Sequence, residues 1–219
     1  MKIYNAELST EQIGDLIAKY ASSEKYQIPK DFECSYDEFS SAIIYSLVRD
    51  YKPVNCLEFG AYRGGSVSKN FTALLKNNLP FSYIACEKSG YLLQESINNV
   101  FRHCKSTPMF MGAVEDSINL IPNNLDYVFI DTSHDIENCK WYLENIFPKL
   151  VDGALVAIHD CSVSEKDGKL VYEGGTFEEI QYLIKLYESN KLPLQKLYWT
   201  WKNFTPYSSA ASSYWIYKK

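Results

Sequence analysis

Residues Val54 to Ser66, reading Val-Asn-Cys-Leu-Glu-Phe-Gly-Ala-Tyr-Arg-Gly-Gly-Ser, constrain the fold of this chain more than any other stretch. The short apolar run from Val54 to Phe59 reads as a buried strand. Gly60 permits a tight turn where that strand ends, and Gly64 and Gly65 let backbone approach a ligand where a helix begins. A strand, a glycine turn and a helix start, in that order, are how open α/β folds cradle a nucleotide-like cofactor. A second apolar run, Ser82-Tyr-Ile-Ala-Cys-Glu87, ends in an acid about 20 residues on from Ser66, the spacing of a strand-helix-strand unit. An acid there can accept hydrogen bonds from both hydroxyls of a ribose.

The same alternation continues along the chain. Val67, Phe71, Leu74 and Leu75 mark one helix stripe, and Leu93, Ile97, Val100, Phe101 and Cys104 mark another. Pro108 to Met111, Leu125 to Ile130 and Ala154 to Ile158 read as three further strands, with Tyr142, Leu143, Ile146 and Phe147 as a helix stripe between the last two. Pro148 disfavours helical geometry at Phe147, so that helix ends there. Strands that are apolar throughout fit a parallel sheet covered by helices on both faces. Before the first strand, Ser9 and Gln12 form a capping box for a helix over Ser9 to Tyr20, and Tyr36 to Tyr51 predicts a second helix, with a loop between them. A last helix begins near Thr176, paired with Glu179 in another capping box. Leu194 to Trp201 and Ser213 to Tyr217, rich in aromatic and β-branched residues, predict an antiparallel strand pair at the sheet edge.

At 219 residues the chain fits a single domain over 1–219, in which residues 1–35 form a helix and loop packed on the sheet or covering the ligand edge. Twenty-two basic against 27 acidic residues give a net charge of -5 and no basic stripe, which disfavours a nucleic-acid partner. No signal-peptide pattern opens the chain and no apolar run reaches the roughly 20 residues of a membrane span, so the expectation is a cytoplasmic protein away from membranes. Six cysteines without a CxxC pair read as reduced thiols, and the sequons at Asn70 and Asn203 read as chance matches. A homo-oligomer and a monomer are equally compatible with the sequence.

Three blocks, Cys56-Leu-Glu-Phe-Gly-Ala-Tyr-Arg-Gly-Gly-Ser66, Tyr83-Ile-Ala-Cys-Glu87 and Tyr127-Val-Phe-Ile-Asp-Thr-Ser-His134 continuing to Gly153-Ala-Leu-Val-Ala-Ile-His-Asp160, resemble a class I S-adenosylmethionine-dependent methyltransferase. The resemblance is to the small-molecule and sugar O-methyltransferases with an Asp-x-x-His block (methyltransferase family 24-like), and it covers roughly residues 36–219. It implies a Rossmann-like, doubly wound α/β sheet of seven strands in the order 3-2-1-4-5-7-6, ending in an antiparallel carboxy-terminal hairpin. It also implies that backbone around Gly60, with Gly64 and Ser66, receives the methionine part of S-adenosylmethionine. Glu58 would stand near its ammonium group, and Glu87 would hold the ribose. Where the family often reads Gly-Asp after the third strand, this chain has Met111-Gly-Ala113, which leaves the adenine contacts open: Ala113 and Val114 are candidate cofactor contacts, and Glu115 or Asp116 is either a substitute for the missing acid or an ordinary first-turn acid. Physically, carboxylates at Glu58 and Glu87 suit a ligand bearing an ammonium and a sulfonium, and the sparse glycines suit a cofactor without a pyrophosphate.

Asp131 ends the fourth strand and Asp160 follows the fifth, so both project at the carboxyl edge, where ligands of such folds bind. Together with His159 they are candidate ligands for Mg²⁺ or another divalent cation, although His suits softer metals. His134, three residues beyond Asp131, is the candidate general base. The predicted function is O-methylation of a small hydroxylated acceptor, a sugar or secondary metabolite. Two alternatives stand beside it: a nicotinamide-dependent enzyme, which Glu87 alone would permit, and a catalytically silent binding module on the same fold. Residues 161–175 are expected to form a mobile lid loop, and Tyr26, Phe32, Tyr172, Phe204 and Tyr207 are candidates to line the acceptor site.

Overall fold

The computed structural model describes residues 4–27, 38–160, 163–166, 169–172, 178–199 and 212–219, with only the backbone of 38, 163–166 and 169–172. The amino-terminal helix α1 (Thr10–Ile17) carries the expected capping box of Ser9 and Gln12, and continues as a π-helical turn over Ala18–Ser22. Helix α2 (Glu38–Tyr51) then leads into β1 (Asn55–Phe59), α3 (Gly65–Asn77), β2 (Ser82–Cys86), α4 (Gly90–Cys104) and β3 (Met109–Met111). The second half runs through β4 (Leu125–Ile130), α5 (Ile136–Asn145), β5 (Leu150–His159), β6 (Val163–Lys166), β7 (Lys169–Tyr172), α6 (Glu178–Glu188), β8 (Leu194–Trp199) and β9 (Ser212–Tyr217).

Seven strands form one sheet in the order β3-β2-β1-β4-β5-β9-β8. The first five are parallel, and β9 inserts antiparallel between β5 and β8. That is the doubly wound order 3-2-1-4-5-7-6 with a reversed carboxy-terminal hairpin. Successive residues of each central strand feed opposite cores, as the two-residue period of a strand requires. Tyr127, Phe129, Leu155 and Ala157 pack under α2, α3 and α4, whereas Val128, Ile130, Val156 and Ile158 pack under α5 and α6. Each fully buried aliphatic side chain among them contributes about 1.5–3 kcal/mol of transfer free energy, which is why the strands read as unbroken apolar runs.

Residues 4–27 lie against the first of these cores. Leu8 N–H donates to the Leu197 carbonyl at 2.8 Å, and the hydroxyls of Tyr4 and Tyr20 both donate to the Asp50 carboxylate. One sequence-based expectation changes. The lid segment 161–175 is not a featureless loop, because β6 and β7 pair as a small antiparallel hairpin within it. Thr176 and Trp201 lie outside the described residues. Glu179, expected as a cap partner for Thr176, is buried with 1% exposure. Among the described residues no helix is long and apolar enough to cross a membrane.

Candidate active site

The carboxyl ends of β1, β2 and β4 are tied together by backbone. Gly60 N–H and Ala61 N–H both donate to the Cys86 carbonyl at 3.1 Å, and Asp131 N–H donates to the Phe59 carbonyl at 3.0 Å. Gly60 adopts φ +92°, and a Cβ built there would sit 1.5 Å from the Asp131 carbonyl oxygen. Glycine is therefore required at this position by the neighbouring strand itself, quite apart from any ligand. Gly64, at φ +89°, opens α3, and a Cβ there would meet Ser96 and Val100 of α4 at 2.9 Å. Glycine here allows α3 and α4 to pack closely, and Gly64 is not among the residues lining the cavity at this edge.

A cavity of about 490 Å³ opens at this edge, lined by Phe59, Gly60, Glu87, Val114, Asp131 and Trp141 among others. That is within the usual range for a small-molecule site. Glu87 is fixed from two sides, accepting from Tyr62 N–H at 2.7 Å and Ser89 N–H at 2.9 Å. Each of its oxygens keeps a further lone pair for a ligand hydroxyl. Val114 and Glu115 line the cavity, whereas Ala113 and Asp116 do not. Trp141, on the cavity side of α5, was not anticipated; its one signal was helical spacing from Glu137 and Asn138, which line the same wall.

Glu58 departs from its expected place beside the cofactor's ammonium. It has 0% exposure and is not among the cavity's lining residues. Its carboxylate accepts from the hydroxyls of Ser66 and Tyr83 and from Asn70 Nδ2, so Ser66, the other expected methionine contact, also turns inward. The reason is strand parity: Glu58 and Cys56 share the face of β1 that packs under α3. Burial raises the Glu58 carboxyl above its ordinary range, although the three hydrogen bonds and the charge of Lys69 pull the other way.

Beside the cavity, four loop and strand ends bring a charged cluster together. His134 Nε2 lies 3.7 Å from Asp131 Oδ1 and 3.7 Å from Asp160 Oδ2, and its Nδ1 lies 2.7 Å from Glu179 Oε2. His159, wholly buried, faces the same two aspartates from the core side, with Nδ1 at 3.2 Å from Asp131 Oδ2 and 3.5 Å from Asp160 Oδ1. Thus each aspartate has one oxygen toward His159 and the other toward His134. His134 and Asp160 have φ of +55° and +52°, and Tyr62 has +45°. Three side-chain-bearing residues in the left-handed region, in the loops after β1, β4 and β5, store strain of about 1–2 kcal/mol each at this edge.

The charges act strongly on one another. Burial alone would lower the His134 pKa, but the nearby Asp131 carboxylate and the hydrogen bond and charge of Glu179 outweigh it and raise it from 6.5 to about 10. Burial would raise Asp131, yet His159 and His134 hold it well below the usual carboxylate range. Asp160 is raised, by burial first and then by the charge of Asp131, against the pull of His159 and His134. A histidine so placed favours its protonated form. Acting as the expected base requires that the charge of its carboxylate neighbours be offset.

The expected cation site fits this donor set, with one change of ligand. Among the described residues the donor atoms of Asp131, His134 and Asp160 all lie within 4.8 Å of one another. The 3.7 Å gaps exceed a hydrogen bond of about 3.2 Å and are short enough for one ion to bridge. Nδ1 of His134 is engaged by a carboxylate, the usual outer support of a metal-ligating imidazole. His159, the expected third ligand, stands behind the aspartates on the core side. The expected acceptor-lining residue Tyr26 instead stacks on Tyr45, with ring centroids 4.0 Å apart. Phe32, Phe204, Tyr207 and the Tyr172 side chain lie outside the described residues.

A doubly wound sheet of this order, with an acid after β2 and a carboxylate cluster after β4 and β5 at one edge, has the form of a site for a nucleoside-type cofactor. Residues 57–161 match the family model described as Methyltransferase domain. Along most of its length the chain is also similar in fold to solved methyltransferases. One is the O-methyltransferase from Bacillus cereus in complex with S-adenosylhomocysteine, at TM-score 0.64 and 15% identity over 97% of this chain and 92% of that one. A second is the S-adenosylhomocysteine-bound methyltransferase of Podospora anserina, at TM-score 0.60 and 13% identity over 94% and 88%. A third is the O-methyltransferase TomG from Streptomyces achromogenes, involved in tomaymycin synthesis, at TM-score 0.57 and 13% identity over 98% and 93%. No curated protein has a matching sequence. Residues 57–161 thus match a methyltransferase-domain family, and the chain shares its fold with methyltransferases solved with S-adenosylmethionine or S-adenosylhomocysteine bound.

Proposed function

We propose that this chain is a methyltransferase acting on a hydroxyl group of a small acceptor, a sugar or secondary metabolite, with a divalent cation held by Asp131, His134 and Asp160. The observation that carries this reading is the double position of Asp131, which lines the cavity and also belongs to the charged cluster. Methyl donor and acceptor oxygen are thereby brought to one place, as an in-line transfer demands. That solved structures of similar fold are described as O-methyltransferases agrees with it.

In this reading Glu87 accepts from the ribose hydroxyls, and the Phe59–Gly60 backbone supports the methionine half. Val114, Glu115 and Trp141 bound the remaining wall. When bound, the cation would polarise the acceptor hydroxyl and lower its pKa. Asp131 and Asp160 add negative charge beside a sulfonium, which favours its binding. His134 would hold the cation through Nε2, the third donor, in its neutral form, which offsetting of the aspartate charges would favour. Their softer nitrogen partner favours Mn²⁺, Fe²⁺ or Zn²⁺ over Mg²⁺.

The test is methyl transfer from labelled S-adenosylmethionine to a panel of sugars, phenols and hydroxylated polyketides, with and without chelator. Transfer is expected to stop on chelation and to return with Mn²⁺ or Zn²⁺. His134→Asn, chosen because Asn tolerates the left-handed backbone, should lower turnover by about 10²–10³-fold with S-adenosylhomocysteine affinity unchanged. Transfer indifferent to both chelation and His134→Asn would overturn the cation reading. Cofactor binding with no transfer to any acceptor would favour a silent binding module.

A further inference from the structure

We propose that Glu179 is a positioning residue of the active site, holding the His134 imidazole with Nδ1–H toward α6 so that Nε2 faces the gap between Asp131 and Asp160. The inference rests on the cluster reading above and extends it to a residue 45 positions away in sequence. Its first support is that Glu179 grips His134 twice. Oε2 lies 2.7 Å from Nδ1, and Glu179 N–H donates to the His134 carbonyl at 3.1 Å. The second support is that Glu179 is itself fixed. Its Oε1 accepts from the Tyr142 hydroxyl of α5 at 2.8 Å, and its exposure is 1%.

A carboxylate at this point of α6 has no packing rationale, since Ile180 and Leu183 beside it feed an apolar core. Burying one costs free energy unless it is paired and hydrogen-bonded. Its pairing is with the histidine that faces the cavity cluster. His134 is meanwhile held at φ +55°, a backbone state that surrounding contacts must impose. The two-point grip from Glu179 supplies such contacts. With Nδ1 committed, Nε2 is the nitrogen left to face Asp131 and Asp160, each at 3.7 Å. The chain also leaves the sheet at Asp160 and returns at α6, so both ends of the β6–β7 excursion meet at this one imidazole.

Glu179→Gln is isosteric and keeps hydrogen bonds to both Nδ1–H and the Tyr142 hydroxyl within reach while removing the charge. The experiment uses the full chain labelled with ¹⁵N-histidine, bound to S-adenosylhomocysteine, at one fixed pH. His134 signals are assigned by their loss in His134→Asn, and Zn²⁺ alone is the probe. In the wild type, Nδ1 should carry a proton in slow exchange, and Zn²⁺ should shift Nε2 only. In Glu179→Gln, the Nδ1 proton should exchange faster and Zn²⁺ affinity should fall about 10–100-fold, the usual effect of losing an outer-shell partner. The melting temperature and S-adenosylhomocysteine affinity should stay near wild type. Ring-nitrogen shifts and Zn²⁺ affinity unchanged in Glu179→Gln would overturn the proposal and leave Glu179 as a helix–helix tie. Should Glu179→Gln fold poorly, Tyr142→Phe frees Oε1 alone, and unaltered Nδ1 exchange in it together with unaltered exchange in Glu179→Asp would likewise overturn it. A wild type that binds S-adenosylhomocysteine but not Zn²⁺ would sink the cation reading, and Nδ1 exchange would still decide whether Glu179 orients the ring.

Discussion

Glu58 and Glu179 are both buried glutamates facing opposite cores of one sheet, and their surroundings differ in kind. Glu58 is enclosed by neutral donors, Ser66, Asn70 and Tyr83, with the buried Lys69 nearby, and its network stays inside the α3 side. Glu179 reaches out through His134 to two partly exposed aspartates at the cavity. The first carboxylate joins a helix to a strand; the second transmits its position to a reactive edge. Proximity in sequence to a cofactor motif therefore says little about which acid serves chemistry. What decides is whether the chain of contacts from the acid ends in the core or at the cavity.

Three substitutions or conditions would break or sharpen that contrast. The largest effect is expected from Gly60→Ala, at the seam that joins the two halves. With its Cβ 1.5 Å from the Asp131 carbonyl, the β1–β4 junction must part, costing more than about 4 kcal/mol. Denaturant unfolding measures this, and near-wild-type stability would mean the seam is not what sets Asp131. Next in size, Glu58→Gln should cost about 1–3 kcal/mol of stability, because an amide NH₂ then faces donors. Its turnover per folded molecule should stay within about twofold of wild type, whereas Glu179→Gln is expected to keep its stability and lose Zn²⁺ affinity. Loss of turnover without loss of stability would place Glu58 in the chemistry after all.

The smallest effect is in pH. Because the His134 pKa is raised from 6.5 to about 10, the cluster's contribution to stability is complete below about pH 6.5 and is lost as pH rises through about 10. For Asp131, held low, the contribution is present above its ordinary 3.8 and is lost as pH falls further. The stability difference between chelated wild type and His134→Asn, measured by chemical unfolding, should therefore narrow from neutral to alkaline pH. A difference independent of pH would detach His134 from its carboxylate partners.

Much of the fold was legible because its signals are local. The apolar run from Leu125 to Ile130 read as a strand covered on both faces, and the Ser9 and Gln12 pair marked the helix start that the structure has. Glu87 was legible because a strand end and a turn fix its direction. The β6–β7 hairpin was not, although Asp167-Gly168 is a two-residue turn signal, because the polar Val163-Ser-Glu-Lys166 before it lacks the alternating apolar pattern of a strand. Likewise, the inward turn of Glu58 follows from strand parity relative to helices that the pattern alone does not orient, and the exchange of His159 for His134 in the donor set follows from which face of β5 is buried.

By itself the amino-acid order determined the alternation of strands and helices, the glycine turn after β1 and the acids at the ends of β2, β4 and β5. Each of these depends on a few neighbouring residues and on periodicities of 2.0 and 3.6. Only the tertiary structure decided that Glu179 meets His134, that His159 stands behind Asp131 and Asp160, and that Glu58 faces away from the cavity. Those contacts join residues far apart in sequence, and their existence depends on how the two helix layers settle on the sheet, a property of packing that no local pattern carries.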